Sequence, residues 1–170
     1  EKLVAVHAGA SCASKRWPKE KFAELGKEIL NETPHRLALV GGKEETMIGD
    51  YLKKEWGGRV LDLTGRLDLQ ELAAFLGRCD LLISNDSGPV HIAAAVGTPT
   101  LSLFGRNQSG LSFTRWNALG PGHTFIQKEV GCVVCLAHRC PIQFECLEAI
   151  GVEEVFARAQ QMLSLQKVTA

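Results

Sequence analysis

The chain alternates short apolar runs with amphipathic stretches, and this rhythm narrows its fold more than any other feature. Leu3-Val4-Ala5-Val6, Leu37-Ala38-Leu39-Val40, Val60-Leu61-Asp62-Leu63, Leu81-Leu82-Ile83-Ser84 and Thr100-Leu101-Ser102-Leu103-Phe104 have the length of buried strands. A sixth strand is predicted near Thr124–Gln127. Helical spacing joins Phe22, Leu25 and Ile29 after Trp17-Pro18, with the proline near the first turn. A second amphipathic stretch runs from about Glu44 to Trp56 and stops at Gly57-Gly58. Leu69, Leu72, Ala73 and Leu76 share a third helical face, closed by Gly77. A short small-residue helix is expected from Pro89 to Val96, a long loop over 105–122, and a closing helix from Val152 to about Leu165.

Strand and helix in alternation call for a parallel sheet covered on both faces, an α/β, doubly wound, Rossmann-like fold. Right-handed crossovers leave few strand orders. The common one for six strands is 3-2-1-4-5-6, with its switch between the first and fourth strands, and ligands sit beyond the carboxyl ends of the strands there. The loops meeting at that point are His7–Arg16 and Asn85–Gly88. They are also the two most polar, small-residue loops of the chain.

Composition excludes more than it selects. At 170 residues the chain supports one domain with a full core. Nineteen basic side chains balance nineteen acidic ones, so no overall field draws in nucleic acid. No apolar run reaches the roughly 18–20 residues that a membrane span needs, and no signal peptide opens the chain. A strand begins almost at Glu1, which leads to the expectation that the chain is part of something longer.

The turn Asn85-Asp86-Ser87-Gly88 has the grammar of an anion site. Asp86 or Ser87 can cap the helix that follows, and Pro89 gives up an N–H that its position would waste anyway. Gly88 lets a ligand approach the backbone, and the free N–H groups of the first turn favour phosphate. His91 is placed to donate to a phosphate oxygen. In the first loop Ser11 and Ser14 offer hydroxyls and Lys15 offers a charge suited to a diphosphate. An ordinary strand–cap–helix junction beside solvated surface cations fits the same letters. Trp17 reads as a packing residue. Neither G-x-G-x-x-G nor G-x-x-x-x-G-K-[ST] is present. After the second strand, Glu44 is the candidate for a ribose hydroxyl, and Leu67 after the third can wall a base.

Ser14-Lys15-Arg16-Trp17-Pro18, Asn85-Asp86-Ser87-Gly88-Pro89-Val90-His91-Ile92-Ala93-Ala94-Ala95, Gly97-Thr98-Pro99 and Leu103-Phe104-Gly105 follow the order and spacing of family 9 glycosyltransferases. The chain resembles the C-terminal half of that family's two-domain GT-B architecture. The resemblance implies a single nucleotide-sugar-binding domain over 1–170, with the acceptor domain outside this chain. Lys15, Ser11 and Ser14 would meet the diphosphate, and Asp86 would lie close to the sugar. Ser87, Gly88 and His91 would support the same anion. The implied reaction is metal-independent, inverting transfer of heptose from ADP-heptose to the lipopolysaccharide inner core. No cofactor is required, and the catalytic base lies on the other domain, so no catalytic residue is expected here. The lipid-linked saccharide acceptor would be reached through that domain, in the cytoplasm at the inner face of the inner membrane, with peripheral membrane contact allowed. Lys43 stands where the family commonly places an acidic residue, and Glu44 comes one later, which leaves the nucleobase open. A second reading is a non-catalytic nucleotide-binding or regulatory module on the same fold.

Cys132, Cys135, Cys140 and Cys146 form C-x2-C-x4-C-x5-C within a Cys-rich segment, 132–146. Four thiolates so spaced can hold zinc or an iron–sulfur cluster. Disulfides fit a cytosolic setting less well. The plain alternative is a set of small buried residues steadying a loop-rich stretch.

Overall fold

The computed structural model describes residues 1–108, 110–132, 135 and 137–165. Six strands form one sheet: β1 (Leu3–His7), β2 (Arg36–Leu39), β3 (Val60–Asp62), β4 (Leu81–Asn85), β5 (Thr100–Phe104) and β6 (His123–Gln127). Their order is β3-β2-β1-β4-β5-β6 and every neighbouring pair is parallel. This is the doubly wound order expected from the alternation, with β1 and β4 adjacent at the switch.

Every residue of β4 and β5 is buried, because helices cover both faces of the sheet. On one face Val4, Val6, Leu81, Ile83, Leu101 and Leu103 meet three helices. These are α1 (Lys19–Glu32), α2 (Thr46–Trp56) and, near the end of the chain, Val152–Leu165. Phe22, Leu25 and Ile29 of α1 all point into this core, as their spacing predicts. On the other face Ala5, Val40 and Leu82 pack against α3 (Leu69–Leu76) and α4 (Gly88–Ala95) through Leu76 and Ala93. The α3 start is fixed by a reciprocal cap: Glu71 N–H donates to Asp68 Oδ1 at 2.8 Å and Asp68 N–H to Glu71 Oε2 at 2.9 Å.

The strand ends differ from the sequence reading in a way that matters. β1 runs on to His7 and β4 to Asn85, one residue further each, and His7 pairs in register with Ser84. The side chains at these ends, His7, Ser84 and Asn85, are polar and buried. The stretch 105–122 contains one short helix, α5 (Phe113–Trp116), held where Phe113 stacks on Phe125 at 4.0 Å between centroids. Lys43–Glu45 forms a 3-10 turn before α2, not its first helical turn, because Glu45 turns back to accept from Gly42 N–H. In the cysteine segment lie a turn at Ala137–Arg139 and a short helix, α6 (Glu145–Glu148); Val152–Leu165 is therefore α7.

Candidate functional site

The carboxyl ends of β1, β2 and β4 open onto a cleft of about 530 Å³. Ser11, Lys15, Glu44, Asp86, Ser87 and Gly88 all line it, although they come from three loops. The two loops at the strand switch are tied together by Asn85, which is fully buried. Its Nδ2 donates to the carbonyls of Ala8 (2.8 Å) and Gly9 (3.2 Å), and its Oδ1 accepts from Trp17 N–H at 3.0 Å. Arg16 Nε adds a bond to Ala10 O at 2.9 Å. A loop of small residues thus acquires one defined path. Trp17 is buried, with its indole N–H on Ile150 O, so it packs as its sequence context predicts.

Charge meets across the switch. Lys15 Nζ lies 2.9 Å from Asp86 Oδ2, and Arg106 Nη2 lies 3.6 Å from the same oxygen. Asp86 and Arg106 are both buried, and Arg106 Nε has no hydrogen-bond partner among the described residues. Arg106 is absent from the sequence reading. Its signal is its position, two residues past the end of β5, on the side of the sheet where the other loops converge.

Neither expected side-chain cap forms at the start of α4. Ser87 occupies the capping position without bonding a helix N–H. Its hydroxyl is engaged by His7 Nδ1 (3.0 Å), Ser84 Oγ (3.0 Å) and Asn85 O (3.1 Å), and Asp86 is held by the two cations. The start of α4 therefore has no side-chain cap, the Val90 N–H bonds back to Ser87 O at 3.2 Å, and Gly88 and Pro89 line the cleft. A Cβ on Gly88 would meet nothing within 4 Å, so no packing contact demands a glycine there.

Glu45, which the sequence reading passed over for Glu44, is the more embedded of the two. Its Oε1 lies 3.2 Å from His7 Nε2, and its Oε2 accepts from Gly42 N–H at 2.6 Å. The hydrogen bond from His7 holds the Glu45 carboxyl below its ordinary range, against burial that pushes it up; the charge of His7, the Gly42 N–H and Arg16 add to the lowering. Glu44 is exposed at the rim of the cleft.

Three expected residues are not on the cleft. Ser14 is buried on the far side of its turn, with Oγ 3.3 Å from Cys12 Sγ. Leu67 is half-buried away from the lining, and Leu72 of α3 provides an apolar edge there. His91 is exposed one turn into α4, edge-on to Trp116 at 6.2 Å. Ser14 instead faces a second cavity of about 350 Å³, shared with Arg106 and with Cys132, Cys135, Cys140 and Cys146. All six cysteines are free thiols, and among the described residues no three His, Cys, Asp or Glu side chains are arranged around a metal position. Burial pushes the Cys146 thiol up, and the neighbouring Cys140, Cys135 and Cys132 add to the rise over an opposing hydrogen bond from the backbone at Leu147.

No described helix is long and apolar enough to cross a membrane. The lipooligosaccharide heptosyltransferase 2 of Campylobacter jejuni (serotype O:2) is 25% identical over 171 residues, which cover 96% of this chain and 51% of that protein. The chain thus spans about half the length of the curated relatives it matches. A family 9 glycosyl transferase from Veillonella parvula superposes with a TM-score of 0.81 at 23% identity, over 96% of this chain and 46% of the other. The E. coli ADP-heptose lps heptosyltransferase II superposes with a TM-score of 0.79 at 23% identity, over 98% and 47%. These likenesses carry the fold. Residues 1–144 match glycosyltransferase family 9 (heptosyltransferase) as a family, and the chain belongs to it.

Proposed function

We propose that the chain is the donor-binding half of a glycosyltransferase that adds heptose to the lipopolysaccharide inner core. The observation that carries this reading is the meeting of Lys15 and Asp86 at 2.9 Å across the strand switch, beside the open start of α4. A nucleotide diphosphate laid there takes Lys15 as its cation and the Ser87–Gly88 backbone as donors, with the helix dipole behind them. Ser11 reaches the same anion, and Glu44 is at the rim for a ribose hydroxyl. Asp86 lies where the sugar follows the second phosphate. The solved E. coli relative named for ADP-heptose makes ADP-heptose the donor to test first.

In this reading the chain stabilises the departing diphosphate electrostatically, through groups already in place before the bond breaks. Lys15 and Arg106 bring positive charge to the site, so no metal is called for. The general base and the lipid-linked saccharide acceptor belong to another domain, working at the inner face of the membrane.

Calorimetry of the chain with ADP, UDP and GDP tests the reading. ADP is expected to bind, and Lys15→Ala to weaken it about 10- to 100-fold, the worth of one charge-assisted hydrogen bond. Sugar transfer by these residues alone is expected to be nil. If no nucleoside diphosphate binds, or if Lys15→Ala changes nothing, the transferase reading fails. Equal binding of all three, with no gain from an attached sugar, would favour a general nucleotide-binding module.

A further inference from the structure

His7 is a buried histidine whose two ring nitrogens have partners of opposite kinds. Only 3% of it is exposed. Nε2 faces the Glu45 carboxylate at 3.2 Å, and a carboxylate only accepts, so Nε2 carries hydrogen. Nδ1 faces two hydroxyls, Ser87 Oγ at 3.0 Å and Ser84 Oγ at 3.3 Å. Its state is decided by what those hydroxyls do.

Two hydroxyl hydrogens serve this cluster, and the Asn85 carbonyl is an acceptor for both serines. Ser84 Oγ is the nearer at 2.8 Å, against 3.1 Å for Ser87, so Ser84 supplies that bond. With a neutral imidazole, the Ser87 hydrogen then goes to bare Nδ1, and Ser87 turns only lone pairs toward the cleft. Lone pairs repel a phosphate oxygen. With an imidazolium, Nδ1–H donates to Ser87 Oγ instead. The Ser87 hydrogen is then freed from Nδ1, an anion in the cleft competes for it with Ser84 Oγ at 3.0 Å and Asn85 O at 3.1 Å, and a positive charge stands behind it. Glu45 balances that charge from the other side of the ring.

We infer that His7 is a proton-coupled positioning residue: an anion at the start of α4 binds together with a proton taken from solvent onto His7 Nδ1, which turns Ser87 into a donor. The inference rests on the diphosphate reading of this cleft. The titratable groups around the ring are Glu45 from the turn after β2, Lys15 and Arg16 from the loop after β1, and Asp86 from the turn after β4. Glu45 is the one among the described residues that pairs with the imidazole; Lys15 and Asp86 pair with each other. The coupling is reciprocal, so whatever charges His7 also tightens the anion.

The test is isothermal calorimetry of the chain with ADP at several pH values, in buffers of different ionisation enthalpy. The dependence of heat on buffer counts protons. A sizeable fraction of one proton taken up per ADP is expected, falling to near zero in His7→Gln and reduced in Glu45→Gln. Lys15→Ala is expected to weaken binding while keeping the proton count. Nitrogen NMR of the His7 ring gives the same answer without a variant, since Nδ1 is expected to gain hydrogen as ADP is added. ADP binding with no uptake, or with uptake unchanged in His7→Gln, overturns the inference and leaves the diphosphate reading standing. Failure of ADP, UDP and GDP all to bind overturns both.

Discussion

The Asn85 side chain accepts from the backbone N–H of Trp17, 68 residues away in sequence, at 3.0 Å. With its two bonds to Ala8 and Gly9 it makes the end of β4 the template for the loop that leaves β1. Asn85→Ala strands one buried donor and two carbonyls. A loss of about 2–4 kcal/mol in unfolding free energy is expected, read from urea denaturation, together with weaker ADP binding because the Lys15 loop loses its path.

Asp86 neutralises the cations that a diphosphate would use. Asp86→Asn keeps the shape and removes the competing charge. ADP is therefore expected to bind about two- to ten-fold more tightly to the variant, with a steeper loss of affinity as salt is added. Calorimetry at two ionic strengths checks both. Unchanged or weaker ADP binding would show that Asp86 does not compete for Lys15.

The Glu45 carboxyl is held low by His7, so its contribution to stability has a definite pH window. It is fully present above the ordinary carboxyl value of 4.5 and is lost as pH falls through the depressed folded value. Glu45→Gln is thus expected to melt below the wild type at neutral pH, with the gap closing in acid. Gly9→Ala offers a second approach to the same contact, because a Cβ there would fall 1.7 Å from Glu45 Oε1. The carboxyl is the far end of a flexible side chain and can swing away, so this variant is expected to fold and to show the same closing gap. Thermal melts from pH 7 down to about pH 3 measure it.

Cys79 is pushed up to about 12 by burial, with the neighbouring Asp80 carboxylate adding to it. The thiolate is the reactive form. Cys79 is expected to resist alkylation at neutral pH until the chain unfolds, whereas Cys132, Cys135 and Cys140, which are partly exposed, react in the folded state. Mass spectrometry of the labelled peptides before and after denaturation distinguishes the two groups.

The sheet was legible because its strands announce themselves. Runs such as Leu81-Leu82-Ile83 are buried on both faces, and parallel topology with right-handed crossovers fixes most of the order. The site was legible only as two loops. Lys15, Asp86, Ser87 and Gly88 are found together because they lie at the carboxyl ends of adjacent strands. What sequence spacing did not give was the direction of side chains within those loops. Ser14 and Ser11 lie three residues apart, yet the intervening 3-10 turn sends one to the cysteine cavity and the other to the cleft. Glu44 and Glu45 both line the cleft, but Glu44 stays exposed at its rim while Glu45 turns inward to His7 and the Gly42 N–H. His7 and Arg106 went unseen because each derives its partners from a strand distant in sequence, Ser84 on β4 for one and Asp86 after β4 for the other.

The stretch from Lys128 to Ala149 leaves and rejoins the body at two buried residues, Ile126 at the end of β6 and Ile150. Ile150 O is gripped at 3.1 Å by both the Trp17 indole and the Lys21 ammonium. Between them Leu147 sits so close to Gly105 that a Cβ on the glycine would fall 2.8 Å from it. An insert clamped at both ends adds only about 0.6 kcal/mol of closure entropy for each doubling of its length. A change of length between those two anchors is therefore expected to cost the sheet little, as urea denaturation of a variant with a longer segment would show. The two anchors, at Ile126 and Ile150, thus tie the ends of the cysteine segment to the core of the sheet.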